Sequence, residues 1–479
     1  MSIEVFRNAL KSGDVVKSVR EGIIGDGVKI PGLFGEVPLT YADYVASGRA
    51  LAQVEDYVRE HVLPYYANSH TEASYCGQYI TRLRAAARAE ISRLTQADDG
   101  CSVIFTGSGA TAGLNRLVGL FGVNKARRAV VFIGPYEHHS NILPWRESNA
   151  TVVEVPETPE GGPNLEALEA ALIDHQDADV KIGSFSAASN VTGVITQPDE
   201  VTRLLKKHGA LSVWDYAGGA PYLPIDMNPA PDCRKDAAVV SPHKFPGGPG
   251  ATGVLILRDE AVVSHVPTWP GGGTVTFVSP WKHHYTGSLA AREEAGTPNV
   301  VGDIRAALAF VVKDEITQDF ISKREAEMNK MAIESWSQNR QLVLLGTQHE
   351  HRLPIFSFLV TRKDGTRFHH QLFTRMLSDV YGIQVRGGCA CAGPYAHSLL
   401  NIDADRSEEL FCELQQGNEL EKPGWVRLNF SYLMSDEKVR YVIESVNALT
   451  TRLEELEPKF KADPKTARFA FDTDELEVA

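Results

Sequence analysis

From about residue 100 to 257 the chain alternates short, β-branched apolar runs with stretches of helical periodicity, and this rhythm restricts the fold more than any other property of the sequence. "CSVIFTG" predicts a strand feeding the helix "ATAGLNRLVGLF", and "RAVVFIG" and "TVVEV" predict strands again. "NLEALEAALIDH" has Asn164 placed as an N-cap ahead of apolar positions at helical spacing, and the strand "VKIGSFS" follows. A helix near 198–208 then leads into the strands "ALSVWD", "DAAVVS" and "TGVLIL". Strands this continuously apolar must be covered on both faces, which predicts an α/β fold around a mostly parallel sheet. Ligands of such sheets bind beyond the carboxyl ends of the strands. Ser108, His138, Asn190, Asp215 and Lys244 each follow one of these strands, so the chemistry is expected in their loops.

A second region, roughly 310 to 455, carries the strand-like "IFSFLV", the helix-like "HHQLFTRMLSDVYG" and the strand-like "WVRLNFSYL", and predicts a smaller α/β domain. The expected division is an N-terminal segment 1–40 packing on the small domain, a large domain 41–305, a small domain 306–455 and a charged tail 456–479. That tail, "EPKFKADPKTARFAFDTDELEVA", mixes charge with proline and lacks sustained periodicity. A net charge of −13 without a long basic run argues against nucleic acid. The amphipathic, charged start and the lack of any uninterrupted apolar stretch of about 18 residues predict a cytoplasmic protein with no membrane span. Six cysteines, at 76, 101, 233, 389, 391 and 412, are too sparse for a disulfide framework, which leaves the close pair Cys389 and Cys391 to be explained.

Each loop has an ordinary reading and a chemical one. In "FTGSGATAGLN" a glycine-rich turn entering a helix presents unpaired N–H groups and the positive end of the helix dipole, which favour a phosphate. Gly109, Ala110 and Thr111 stand at that turn, although Gly-Ser-Gly turns are also common connectors and the spacing is not that of a Walker loop. Asp215 in "WDYAGG" ends an apolar strand, where an unpaired carboxylate is costly to bury. It suits a helix N-cap or the protonated ring nitrogen of a pyridine cofactor. In "YEHHSNILPW" an imidazole can stack on a flat heteroaromatic, bind metal with its neighbour, or serve structure alone. No second His/Asp/Glu pair at ligand spacing accompanies it, so no metal site is expected. "SPHKFPGGPGATG" sets Lys244 between Ser-Pro-His and a glycine run. A lysine in a Gly-Pro turn is ordinarily solvated, but burial would strip water from the ammonium, lower its pKa and free the amine as a nucleophile or base.

A phosphate cradle, a flat ring partner, a carboxylate for a ring nitrogen and a lysine able to form a Schiff base are together the set that pyridoxal 5′-phosphate (PLP) needs. Ser241 and His243 stand close enough to Lys244 in sequence to help hold the phosphate. The segments "GSGAT", "EHHSNILPW", "SNVTG", "WDYAGG", "SPHK" and "EAGTPNV" resemble, in order and spacing, the class V aminotransferase-like, fold-type I PLP enzymes, especially their cysteine desulfurase and selenocysteine lyase branch. The resemblance covers most of residues 40–450 and implies a large domain with a mostly parallel seven-stranded sheet and a smaller α/β C-terminal domain. It implies Lys244 as the Schiff-base lysine and His138 as the ring-stacking residue. Asp215 would pair with the pyridine nitrogen, and Asn190 would bond near the cofactor's phenolic oxygen and the substrate. Gly109, Ala110, Thr111, Ser241 and His243 would bind phosphate. Thr297, in "AGTPN", is implied to reach the phosphate of a second protomer, and with it a homodimer. "VRGGCACAGP" fits the mobile Arg-x-Gly-x-x-Cys loop of that branch through Arg386, Gly388 and Cys391, making Cys391 the candidate sulfur acceptor. Arg427, in "WVRLNFSYL", matches the arginine that clamps the substrate carboxylate; a surface ion pair is the other use of either arginine.

The implied reaction removes sulfur from L-cysteine as a persulfide on Cys391 with release of alanine, and a sulfur-acceptor protein is an implied partner. Three departures bear on it. Gly218 stands where the family commonly has a glutamine three residues after the aspartate, and "FPGGPGATG" is one residue longer than usual. Cys389 completes a Cys-x-Cys pair that resembles the molybdenum cofactor sulfurases; it would resolve a persulfide, carry the sulfur itself or merely pack. An alternative keeps the cofactor and changes the reaction to that of a class V aminotransferase, epimerase or carbon–sulfur lyase acting on another amino acid, with Cys391 not catalytic. A scaffold that holds the cofactor without turnover is opposed by the intact set Lys244, Asp215 and Arg427.

Overall fold

Seven of the apolar runs form one sheet in the computed structural model, which describes residues 3–69, 72–346 and 352–471. They are β1 (Cys101–Gly107), β2 (Ala129–Ile133), β3 (Thr151–Glu154), β4 (Val180–Ser186), β5 (Leu211–Asp215), β6 (Ala237–Val240) and β7 (Gly253–Arg258). Their order across the sheet is β1-β7-β6-β5-β4-β2-β3. β7 runs antiparallel to both neighbours and the other pairs are parallel. Register places Asp215 beside Ser186 on one side and Val239 on the other, so these strands end level and their loops emerge together.

The chain divides into two units, one of residues 1–24, 46–189 and 195–321 and one of 25–45, 190–194 and 322–479. The seven-stranded sheet belongs to the first. One of its faces is covered by the helix Gly109–Leu120, whose Leu114, Leu117 and Leu120 are fully buried against Val131, Val213, Val239 and Leu255. Each such leucine stabilises the fold by roughly 1.5–3 kcal/mol over an exposed one. Gly113 permits that approach, since a Cβ there would lie 2.8 Å from Val239 Cγ1. The helix Val300–Ile316 is buried along most of its length and packs with Tyr75–Leu94. Arg7, on the helix Ile3–Leu10, pairs with Glu90, Asp314 and Glu315 and ties the N-terminus to those two helices. Residues 1–24 belong to the first unit and 25–45 to the second, and the first unit extends to 321.

The second unit has its own sheet of β8 (Leu342–Leu344), β9 (Ile355–Thr361), β10 (Arg367–Phe368), β11 (Arg386–Gly388) and β12 (Trp425–Asn429). The order is β8-β9-β12-β11, with β10 on β9 and every pairing antiparallel. Trp336, Phe356, Phe358 and Phe430 meet in an aromatic core beside it. Residues 460–471, read from sequence as part of an irregular tail, instead form a hairpin of Phe460–Asp463 with Arg468–Phe471, and the Phe469 ring lies 4.9 Å from that of His369. The turn is closed by the Asp463 carboxylate, which accepts from Lys465 N and Thr466 Oγ1. Residues 472–479 of that expected tail lie outside the described residues. No helix among the described residues is long and apolar enough to cross a membrane.

Candidate active site

β6 ends at Val240, and the chain then turns through Ser241 into a short 3-10 helix, Pro242–Lys244, with Lys244 N donating to Ser241 O at 3.0 Å. The glycines that follow are explained by close backbone packing. A Cβ on Gly248 would fall 1.9 Å from Pro242 O, and one on Gly48, whose N–H donates to His243 O, would fall 1.9 Å from Phe245 O. No side chain fits at either position, so the backbone clasps the Lys244 turn from both sides.

The charge of Lys244 acts on two neighbours, the buried Asp215 and the half-buried His243. Asp215 is buried at the end of β5, its Oδ1 accepting from Ala217 N at 2.7 Å. Burial pushes its carboxyl up; the Ala217 bond and the Lys244 ammonium pull it back. His243 is pushed down to about 4 by burial, with the same ammonium adding to the fall, so it is a neutral imidazole at neutral pH. On the loop after β2, His138 Nδ1 accepts from Ser140 N at 3.1 Å, which places the ring proton on Nε2. Ser140 Oγ in turn bonds Thr111 Oγ1 at 2.7 Å, linking the histidine loop to the helix that begins at Gly109.

That helix start is shaped as a cradle. Gly107 and Gly109 have φ of 89° and 60°, and Ser108 makes no side-chain cap. Ala110 N donates to Ser241 Oγ at 3.0 Å. A Cβ on Gly109 would sit 2.9 Å from Ser241 Oγ and 3.1 Å from His243 Cε1, so the missing side chain leaves space between the helix N-terminus, a hydroxyl and an imidazole. Such a space suits an anion. Gly109, Ala110, Thr111, His138, Asp215, Ser241, His243 and Lys244 are thus assembled within the first unit. Thr297, in the same unit, lines a cleft with Gly107, Thr252 and Asn299.

Sequence reasoning missed Glu137. Its carboxylate is buried beneath the His138 loop and accepts from Ser186 N (2.8 Å), Ser186 Oγ (2.6 Å) and Asn141 Nδ2 (2.6 Å). Asn141 Oδ1 accepts in turn from Ser184 Oγ and Trp145 Nε1, and the Glu137–Asn141 bond spans the turn that carries His138. Burial pushes Glu137 up to about 7 against those hydrogen bonds, and the nearby charge of Asp215 adds to the rise. The available signal was a glutamate directly after the apolar run "VVFIGPY", where a charged side chain needs a reason.

The second unit gathers Asn190, Arg386, Cys391 and Arg427 around a residue that sequence did not single out, Asp43. Arg427, on β12, is only 3% exposed. Its Nη2 donates to Asp43 Oδ1 at 3.0 Å and its Nη1 to Asn190 O at 3.2 Å, while its buried Nε has no partner among the described residues. Arg386 Nε donates to Asp43 Oδ2 at 3.1 Å. Burial draws the Arg427 guanidinium below its ordinary range; Asp43 opposes this, Arg386 adds to it, and Cys391 lies close enough to oppose it too. Cys391 is exposed, in a turn where Ala390 and Cys391 take φ of 54° and 56° and Ala392 N donates to Cys389 O. Two consecutive non-glycine residues in the left-handed region are strained, and Asn190 Nδ2, donating to Ala390 O at 2.9 Å, helps hold them.

This seven-stranded, mostly parallel sheet is the fold-type I architecture of PLP-dependent enzymes. The chain belongs to the Aminotransferase class-V family, which it matches over residues 40–442. It is 30% identical over 364 residues to a cysteine desulfurase of Salmonella typhimurium, covering 75% of this chain and 85% of that protein. It is 29% identical over 366 residues to a probable cysteine desulfurase of Halalkalibacterium halodurans, covering 74% and 85%. Among solved structures, the apo cysteine desulfurase from Thermococcus onnurineus NA1 superposes with a TM-score of 0.73 at 23% identity, over 91% of this chain and 98% of that one.

Proposed function

We propose that the protein binds PLP at Lys244 and transfers the sulfur of L-cysteine to Cys391, releasing alanine. The observation that carries the desulfurase reading is the exposed Cys391 thiol within electrostatic range of Arg427, the buried guanidinium suited to the substrate carboxylate. The first unit's residues fit the cofactor: the cradle that a Gly109 side chain would fill suits a phosphate, and the buried Asp215 carboxylate, which accepts from Ala217 N, suits a ring N–H. When bound, PLP supplies an electron sink for the substrate's Cα carbanion. Asp215 would hold a proton at the ring nitrogen and His138 would stack on the ring. Thr111, Ser241 and the neutral His243 would donate to the phosphate. Arg427 orients the amino acid through its carboxylate, with Asn190 beside it. The Lys244 amine would be the base that takes the Cα proton. The Cys391 thiolate attacks the substrate sulfur; the new S–S bond forms as the Cβ–S bond breaks, leaving a persulfide for a sulfur-acceptor protein.

A homodimer fits the same reading, with Thr297 reaching the partner's phosphate. Exposed apolar side chains support it: Phe277, Val278 and Trp281 all stand exposed within the hairpin Val275–Val278/His283–Tyr285 and its turn. Borohydride reduction of the purified protein should fix the cofactor on Lys244, and Cys391→Ala should abolish alanine formation from L-cysteine. Turnover retained by Cys391→Ala would assign the chain to the aminotransferase, epimerase or lyase chemistry of its family instead.

A further inference from the structure

Arg386 and Arg427 are direct register partners on the antiparallel strands β11 and β12. Like charges placed opposite each other on adjacent strands repel. One carboxylate, that of Asp43, lies between them with Oδ1 on Arg427 and Oδ2 on Arg386. Its place is set by the backbone: Thr40 and Tyr41 pair with Ile383 and Gln384, Asn429 N donates to Ala42 O at 2.9 Å, and Val45 N donates to Asn429 Oδ1 at 2.8 Å. The carboxylate is thus held rigidly between the two guanidiniums, and neutralises one of them.

A single structural arginine would need no such arrangement. Two arginines and one aspartate leave one net positive charge, and Arg427 still has its buried Nε donor unpartnered among the described residues. One incoming carboxylate brings the cluster to neutrality. A second would leave an uncompensated negative charge beside a buried group, which is unfavourable in proportion to the desolvation. We propose that Asp43 is a specificity-determining residue that sets the charge of the Arg427–Arg386 site for one carboxylate, so that the enzyme accepts amino acids with uncharged side chains and rejects dicarboxylic ones. The inference deepens the reading of Arg427 as the substrate clamp and rests on it.

The test uses the full-length, PLP-loaded protein and two unreactive probes, L-alanine and L-aspartate, titrated by the visible spectrum of the cofactor and by thermal shift. The wild type should prefer alanine. Asp43→Asn, with two net charges, should move the preference toward aspartate by about tenfold or more, as expected for one unit charge a few ångströms away at intermediate dielectric. Asp43→Asn combined with Arg386→Gln restores one net charge and should return the preference to that of the wild type. Arg386→Gln alone, at a half-exposed side chain, should weaken aspartate more than alanine, and keeps the test available if Asp43→Asn does not fold. A preference unchanged across the variants, with both affinities falling together, would reduce Asp43 to a structural brace and overturn the proposal. A wild-type protein whose spectrum responds to neither amino acid would overturn the substrate-clamp reading and the proposal with it.

Discussion

Glu137 shows how much one buried group contributes that a strand-and-loop reading overlooks. Folding raises its carboxyl to about 7 from the ordinary glutamate range, chiefly by burial. Between those limits the folded protein holds a proton that the unfolded chain has lost, so the stability contributed by Glu137's protonation falls as pH rises from about 5 toward 7 and is gone above it. Glu137→Gln carries no such proton. Thermal melts should show the wild type losing more stability than Glu137→Gln between pH 5 and pH 8; parallel curves would mean that Glu137 is ionised throughout. The candidate residues that sequence did reveal, Lys244, Asp215 and His138, sit at strand ends inside distinctive local strings. Asp43 and Glu137 do not, because their importance comes from partners distant in the chain: Arg427 is 384 positions from Asp43, and Ser186 is 49 from Glu137.

At the level of elements, every strand of the large sheet was legible, since continuous β-branched runs bounded by turn residues leave little else to form. Asn164 caps its helix as expected, accepting from Ala167 N. The hairpin at 460–471 was not legible, because two four-residue strands separated by Pro464, Lys465, Thr466 and Ala467 carry too few alternations to stand out from a charged tail. The packing of β7 against the Gly109 helix start was equally hidden. A Cβ on Gly253 would lie 2.4 Å from Gly109 O and 2.6 Å from Gly109 Cα, both backbone atoms that cannot swing aside. Gly253→Ala should therefore cost on the order of 1–3 kcal/mol and displace the cradle. Calorimetry and the cofactor content of the purified variant would check this: a lowered melting temperature with reduced PLP occupancy is expected, and full occupancy would separate the cradle from the β7 contact.

For the molecule as a whole, the sequence indicated two α/β units. Ownership of a segment is decided by the surface it packs on, as when Arg7 joins Glu90, Asp314 and Glu315, and no local pattern records that choice. Association is a property at this scale too. Trp281 is 90% exposed, an arrangement that suits burial against a second copy. Trp281→Asp should shift the protein from dimer to monomer in light scattering and loosen PLP if Thr297 of each copy serves the other's phosphate; a wild type that is already monomeric would remove that part of the account.

Mass spectrometry of the Cys391 peptide after exposure of the PLP-loaded protein to L-cysteine bears most directly on the central claim. One added sulfur atom on Cys391, formed together with an equivalent of alanine, is the predicted result. Alanine released while Cys391 stays unmodified and replaceable, or no alanine at all, would contradict it.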